Sequence, residues 1–357
     1  MDVLTFKIIL VLCLFLLALT VAAYSTWGER KVAAFIQDRL GPNRAGIFGL
    51  LQPLADGGKF FFKEDFTPNS AEKFLFILGP SMVMFISLIT GAVIPWGKPI
   101  MIGGEYFDLQ VANIDIGVLY IMGLASITVY GMMLGGWASN NKYSLMGAVR
   151  ASSQMISYEL AMGLALLAII MLAGSLNLKD IVDMQSHGKI WGILPEVSGM
   201  NWNIFYQPFA FIIFFVAAMA ECNRHPFDLP ECESELVNGY FTEYSSMKLG
   251  LYMFGEYVNM FISNALITVL FFGGYNYPGI DWVTENWGDN IASALSVLAF
   301  LCKTFFGIFV FMWIRWTLPR FRYDQLMHLG WKKLIPFALI NLMITGAAIL
   351  AYHHFVN

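Results

Sequence analysis

The chain has 357 residues, of which 58% are apolar and 13% charged, against roughly 25% charged in ordinary soluble domains, and its mean hydropathy is +0.63. Such a composition belongs in a bilayer. The formal charge of -4 leaves no Lys/Arg-dominated face to neutralise a phosphate backbone, which excludes nucleic acid as a partner.

Eight apolar segments of membrane length follow one another at roughly 8–26, 74–94, 116–138, 155–174, 204–222, 251–274, 292–314 and 334–353. The pattern predicts an all-α integral membrane protein in which residues 1–357 form a single transmembrane domain. The first segment opens on Met1-Asp2, which is not basic, and its apolar run is longer than a signal-peptide core, so it is read as a span. Lys and Arg concentrate in the stretches 27–73 and 315–333. By the positive-inside rule these, with 223–250, face the cytoplasm, and both termini lie outside it.

The first inside stretch carries Glu29-Arg30-Lys31, then Gln37-Asp38-Arg39-Leu40-Gly41-Pro42-Asn43, then Leu51-Gln52-Pro53-Leu54-Ala55-Asp56-Gly57-Gly58-Lys59. A plain topology anchor explains the cations but not Glu29, Asp56 or Glu64. Over about 48–62, Phe48, Leu51, Leu54 and Ala55 recur at helical spacing beside Asp56 and Lys59. That spacing predicts an amphipathic helix lying at the membrane surface, able to wall a crevice for an amphipathic ligand. In the third span Gly131 and Gly135 form a G-x-x-x-G, most simply a close helix contact.

Three ionisable residues fall inside spans: Glu159 one turn into the fourth, Glu256 about two turns into the sixth, and Lys303 near the middle of the seventh, on the order of 15 Å from either surface. Each costs roughly 2.5–3.5 kcal/mol unpaired at the bilayer centre. They are therefore either functional groups or buried ion pairs that fix packing. Between residues 221 and 256 stand six glutamates, Glu221, Glu231, Glu233, Glu235, Glu243 and Glu256, an acidic run suited to gathering or passing protons.

Cys13, Cys222, Cys232 and Cys302 show no C-x-x-C spacing, which argues against an iron-sulfur cluster or structural zinc; the expected metal complement is none. The five histidines fall in loops or at span ends, so no haem ligand pair is expected. Without a P-loop or a G-x-G-x-x-G, no nucleotide site is expected either, and a partner must supply any electrons.

Nine motifs in order carry a resemblance: Glu29-Arg30-Lys31, Gly41-Pro42-Asn43, Leu51-Gln52-Pro53 with Ala55-Asp56, Gly136-Trp137-Ala138-Ser139-Asn140, Ser157-Tyr158-Glu159, Asn223-Arg224 with Pro226-Phe227-Asp228-Leu229, Glu233-Ser234-Glu235-Leu236, Glu243-Tyr244, and Pro319 to Met327. From about 24 to 337 the chain resembles the H subunits of the NADH-quinone oxidoreductases, respiratory complex I. The resemblance implies an eight-span heel of the membrane arm, in the bacterial inner membrane, that encloses much of a quinone tunnel. FMN and iron-sulfur clusters would be held by partner subunits of the complex, and the quinone, ubiquinone or menaquinone, would be a substrate. Matched residue by residue, Arg30, Arg39, Asp56 and Lys59 would line or border the quinone cavity. Glu159, Glu221, Glu231, Glu233, Glu235, Glu243 and Glu256 would form an acidic funnel into the membrane arm, with Lys303 matching a family lysine. Arg315, Arg320, Arg322 and Asp324 would meet the peripheral arm.

The implied mechanism is indirect. Quinone reduction changes charge at the tunnel head, and coupled carboxylates relay that change as proton occupancy. Departures from the family sit in the acidic loop, at Cys222, His225, Pro230 and Cys232. The rival readings are the related membrane subunit of an energy-converting hydrogenase and a stand-alone proton-coupled transporter. The latter would carry internal repeats, and the sequence has no half-to-half similarity.

Overall fold

The structure is a computed structural model and describes residues 2–186, 199–229 and 237–356. In chain order, α1 (Val3–Ile36) leads to the short α2 (Gln52–Phe62) and then α3 (Lys73–Thr90). A small antiparallel hairpin, β1 (Ile100–Ile102) and β2 (Glu105–Phe107), sets Met101 opposite Tyr106. α4 (Gly117–Ala138), α5 (Lys142–Ala173), α6 (Leu178–Met184), α7 (Asn203–Tyr206) and α8 (Pro208–Glu221) follow. The chain closes with α9 (Ser246–Phe271), α10 (Ile280–Trp287), α11 (Asp289–Thr317), α12 (Tyr323–Leu329) and α13 (Ile335–Val356).

Among the described residues seven helices are long and apolar enough to cross a membrane: α1, α3, α4, α5, α9, α11 and the nearly continuous α12–α13. The fifth expected span, 204–222, takes another form. Pro208, which cannot donate a backbone hydrogen bond, separates α7 from α8, and α8 has 14 residues. That is about 21 Å of helix, short of the roughly 30 Å hydrocarbon layer.

α9 is the axle of the bundle. Of its apolar window 83% is buried, against 28% for α1, because α1, α3, α8 and α11 pack around it. Small residues let the other helices approach. Gly131 and Gly135 of α4 face Gly79 of α3, and a Cβ on Gly135 would stand 1.8 Å from the Tyr252 hydroxyl. That hydroxyl donates to the Gly131 carbonyl at 3.2 Å and Tyr244 donates to the Gly135 carbonyl at 3.1 Å. The G-x-x-x-G is thus a close helix contact, as expected, and it also seats two tyrosines from elsewhere in the chain.

Two helix boundaries move from their expected places. α1 continues to Ile36, so Glu29, Arg30 and Lys31 ride on its last turns rather than in a loop. α5 begins at Lys142 instead of near 155, which puts Glu159 in mid-helix rather than one turn in. The physical reason is the same for α5 as for many buried helices. Its first turns bury Ser144, Ser152 and Gln154 against protein, so their polarity hides the helix from a hydropathy reading.

Candidate functional site

The site is built where α1, α2 and α9 meet. Pro53 sits in the first turn of α2, where its missing N–H costs nothing. The turn before it needs Gly41, at φ +63° and so close to α1 that a Cβ would come 2.9 Å from that of Ala34. The far end of α2 is tied to α9. Ser246 Oγ lies within hydrogen-bond reach of both the Phe60 and Lys63 carbonyls, at 2.9 and 3.0 Å, which share its one proton, and Lys248 pairs with Asp65 at 3.0 Å.

Between these elements lies a polar cavity of about 490 Å³, faced by Glu29, Arg30, Asp56, Lys59, Tyr257 and Arg315. Arg30 pairs with Asp56 at 2.8 Å, and Gln52 donates to the same carboxylate at 3.1 Å. It adjoins an apolar chamber of about 980 Å³ walled by residues such as Phe15, Leu54, Phe85 and Leu251. Pro53, Gly57, Phe60 and Phe254 line both, so one amphipathic space runs from greasy to charged. Arg39 borders a third hollow of about 420 Å³ with Arg30, Gln52 and Trp316. The structure thus brings Arg30, Asp56 and Lys59 together and sets Arg39 next to them.

From the cavity an unbroken series of contacts leads inward. Arg315 forms an ion pair with Glu29, to which the Tyr257 hydroxyl donates at 2.6 Å. The Arg224 guanidinium lies 3.9 Å from the Tyr257 ring centroid and 3.6 Å from the Glu256 carboxylate, and Tyr240 donates to Glu256 at 3.0 Å. Both Arg224 and Glu256 are almost fully buried. Ions taken out of water at a cost of several kcal/mol persist only when paired and hydrogen-bonded in this way. Tyr240, Tyr252 and Tyr244 then pack edge to face, with centroids 5.1 Å apart at each step.

The other acids divide into groups. Glu243 accepts from Asn141 at 2.6 Å and Glu159 from Ser126. Glu221 borders a closed hollow of about 20 Å³ beside Ser87, Thr128 and Ser263, room for about one water. Glu231, Glu233 and Glu235 lie outside the described residues.

Lys303 stands apart from all of these. Its ammonium donates to the carbonyls of Phe272, Gly274 and Asn276, and it lies 4.9 Å from the Trp202 ring centroid. It caps the C-terminal end of α9, where unpaired carbonyls favour a cation.

The start of the acidic loop is held by α5. Gln154 donates to the Ala220 and Phe227 carbonyls at 2.8 and 2.7 Å. Asp228 pairs with Arg320 at 2.6 Å. Burial raises the Asp228 carboxyl from its ordinary value, with the Arg320 charge opposing. Burial lowers the His225 imidazole, and Arg320 adds to that effect. Of the four residues assigned by resemblance to the peripheral arm, Arg315 and Arg320 therefore turn inward to Glu29 and Asp228. Arg322 and Asp324 open α12 at the exposed surface.

Sequence reasoning missed Tyr257, Tyr240 and Trp316, quoted Glu29 only within a motif, and gave Arg315 a docking role. Tyr257 directly follows Glu256, and a tyrosine beside a carboxylate inside a span is a signal that was open to use. Tyr240 is marked by nothing local.

These features define an all-α membrane protein with an amphipathic chamber at one end and a buried chain of carboxylates, arginines and tyrosines leading from it. Residues 8–346 match the family model described as NADH dehydrogenase. The chain is 58% identical to the NADH-quinone oxidoreductase H subunit of Flavobacterium psychrophilum, with 97% of each chain covered. It is 56% identical to that of Flavobacterium johnsoniae (97% and 95% covered) and 59% identical to an H subunit of Cytophaga hutchinsonii (97% of each). The chain belongs to the H-subunit family of the NADH-quinone oxidoreductases.

Proposed function

We propose that this chain is the membrane subunit of a proton-pumping NADH-quinone oxidoreductase that receives the quinone and couples its reduction to proton movement. The observation that carries the reading is the joined cavity. Its apolar chamber suits an isoprenoid tail, and the charged end, with Arg30, Asp56, Lys59, Tyr257 and Arg315, suits a quinone head. Electrons arrive from FMN and iron-sulfur clusters on partner subunits of the complex. The substrate is ubiquinone or menaquinone. The complex sits in the bacterial inner membrane with both termini of this chain outside the cytoplasm, and Arg322 and Asp324 face the peripheral arm.

Coupling runs through the contacts that leave the cavity. A charge change at the quinone head is felt by Glu29 and Arg315, then through Tyr257 and Arg224 by Glu256. From there Glu221, Glu159, Glu243 and the loop acids Glu231, Glu233 and Glu235 respond as a coupled set.

The test compares two electron acceptors. Asp56→Ala and Arg30→Ala, each of which breaks the pair across the cavity, lower quinone-dependent NADH oxidation at least tenfold and leave NADH–ferricyanide activity intact. Equal loss of both activities overturns the reading in favour of failed assembly.

A further inference from the structure

A separate cavity, of about 430 Å³, lies away from the quinone chamber between α8 and α11, and the proposed function makes no use of it. Phe211, Phe215, Phe272, Phe306 and Val310 give it an apolar wall. The polar donors at its edge are already engaged. Thr268 donates to the Asn264 carbonyl and the Asn264 amide donates to the Met260 carbonyl, while Asn264 Oδ1, set against Gly307, accepts no hydrogen bond from the described residues. The three protons of Lys303 are matched by three backbone carbonyls. Among the residues that line it no cation is left to attract a phosphate, so the space suits hydrocarbon.

What covers this flank is indicated by α11 itself. Ile291, Leu298, Phe305, Phe309 and Trp313 are all exposed and recur at seven- and four-residue steps, one lipid-like stripe along the helix. Trp313 (53% exposed) marks its inner end. At its outer end α10 presents Trp282 and Trp287 (60% and 54% exposed), their rings 6.0 Å apart. From Asp289 to Trp313 the helix rises about 36 Å, which brackets the roughly 30 Å hydrocarbon layer between two aromatic levels. Tryptophan at both water interfaces with phenylalanine between them is the pattern of a surface that meets lipid. The mouth of the cavity opens beside Phe306 (66% exposed), and Phe209 and Ile212 on α8 are exposed too.

We propose that the cavity between α8 and α11 holds the acyl chain of a membrane lipid. The chain lies with its tail against Phe211, Phe215 and Val310 and its headgroup outside the protein.

The test places the native complex in nanodiscs doped with a phosphatidylcholine that carries a photoreactive diazirine at mid-chain, then maps the adducts by mass spectrometry. Adducts are expected on Phe211, Phe215 or Val310, deep in the wall. Val310→Trp and Cys302→Trp, which fill the space, reduce those adducts at least fivefold without changing NADH–ferricyanide activity. Adducts confined to Phe306 and Phe309 would mean annular lipid alone and overturn the proposal. So would unchanged labelling in both variants, or a crosslink from Cys302 to another protein chain in place of the lipid adducts.

Discussion

Single residues in this chain owe their state to what surrounds them more than to their own chemistry. Glu256 and Lys303 looked alike from the sequence, as two charges inside spans. Glu256 belongs to a connected set with Arg224 and Tyr240, whereas Lys303 ends on backbone carbonyls and holds α9 in place. Hydropathy sees that a charge is in the bilayer but not which group answers it, so the two roles were not separable before the fold was known. His225 illustrates the same dependence outside the spans. Burial and the nearby Arg320 and Arg315 charges lower its imidazole, while Asp228 opposes them. The folded state thus prefers the neutral ring, so the stability this contributes is present above the ordinary value of 6.5 and is lost as pH falls through the lowered folded value. The thermal midpoint of the complex is expected to decline as pH drops below 6.5, and to decline less in His225→Gln. A thermal-shift series across pH checks this, and parallel curves for the two proteins would remove His225 from the account.

At the scale of elements, α3, α4 and the tyrosines of α9 and the preceding loop are fitted around missing side chains. Gly135→Ala would drive a methyl group to 1.8 Å from the Tyr252 hydroxyl and disturb the neighbouring Tyr244 contact, whereas Gly123 on the same helix has nothing within 4 Å. Overpacking of this kind costs about 1–3 kcal/mol, so Gly135→Ala lowers the thermal midpoint and the yield of assembled complex while Gly123→Ala leaves both near wild type. Equal yields and midpoints for the two would show that the helix pair yields easily. The G-x-x-x-G spacing made the contact legible in the sequence, though not its partners, because Tyr244 and Tyr252 lie more than a hundred residues away. α2 was legible from the helical spacing over 48–62, but the helix begins at Gln52, with Phe48 and Leu51 in the turns before it. The early start of α5 was not, since serines and a glutamine that face protein read as loop. The span expected at 204–222 falls on α7 and α8, which meet at Pro208.

For the whole molecule, the coupling reading makes one demand: the loop acids and the buried acid must act together. Glu235→Gln combined with Glu256→Gln is expected to abolish quinone-driven proton pumping in vesicles reconstituted with the fraction of complex that assembles, since neutralising Glu256 removes a counter-charge from the buried Arg224. A proton-to-electron ratio equal to wild type would remove Glu235 and Glu256 from the coupling. The all-α bundle, the presence of α2 and the grouping of Arg30, Asp56 and Lys59 were readable from composition, spacing and motif. The route from cavity to acids was not, because it passes between α1, α9, α11 and the acidic loop through Glu29, Tyr257 and Arg224, residues remote in sequence. The tie between α2 and the first turn of α9 has a mechanical meaning for that route. Ser246 grips the end of the surface helix, and Glu256 and Tyr257 stand about 15 Å further along the same rigid rod. One helix therefore holds both a wall of the cavity and the acid behind it.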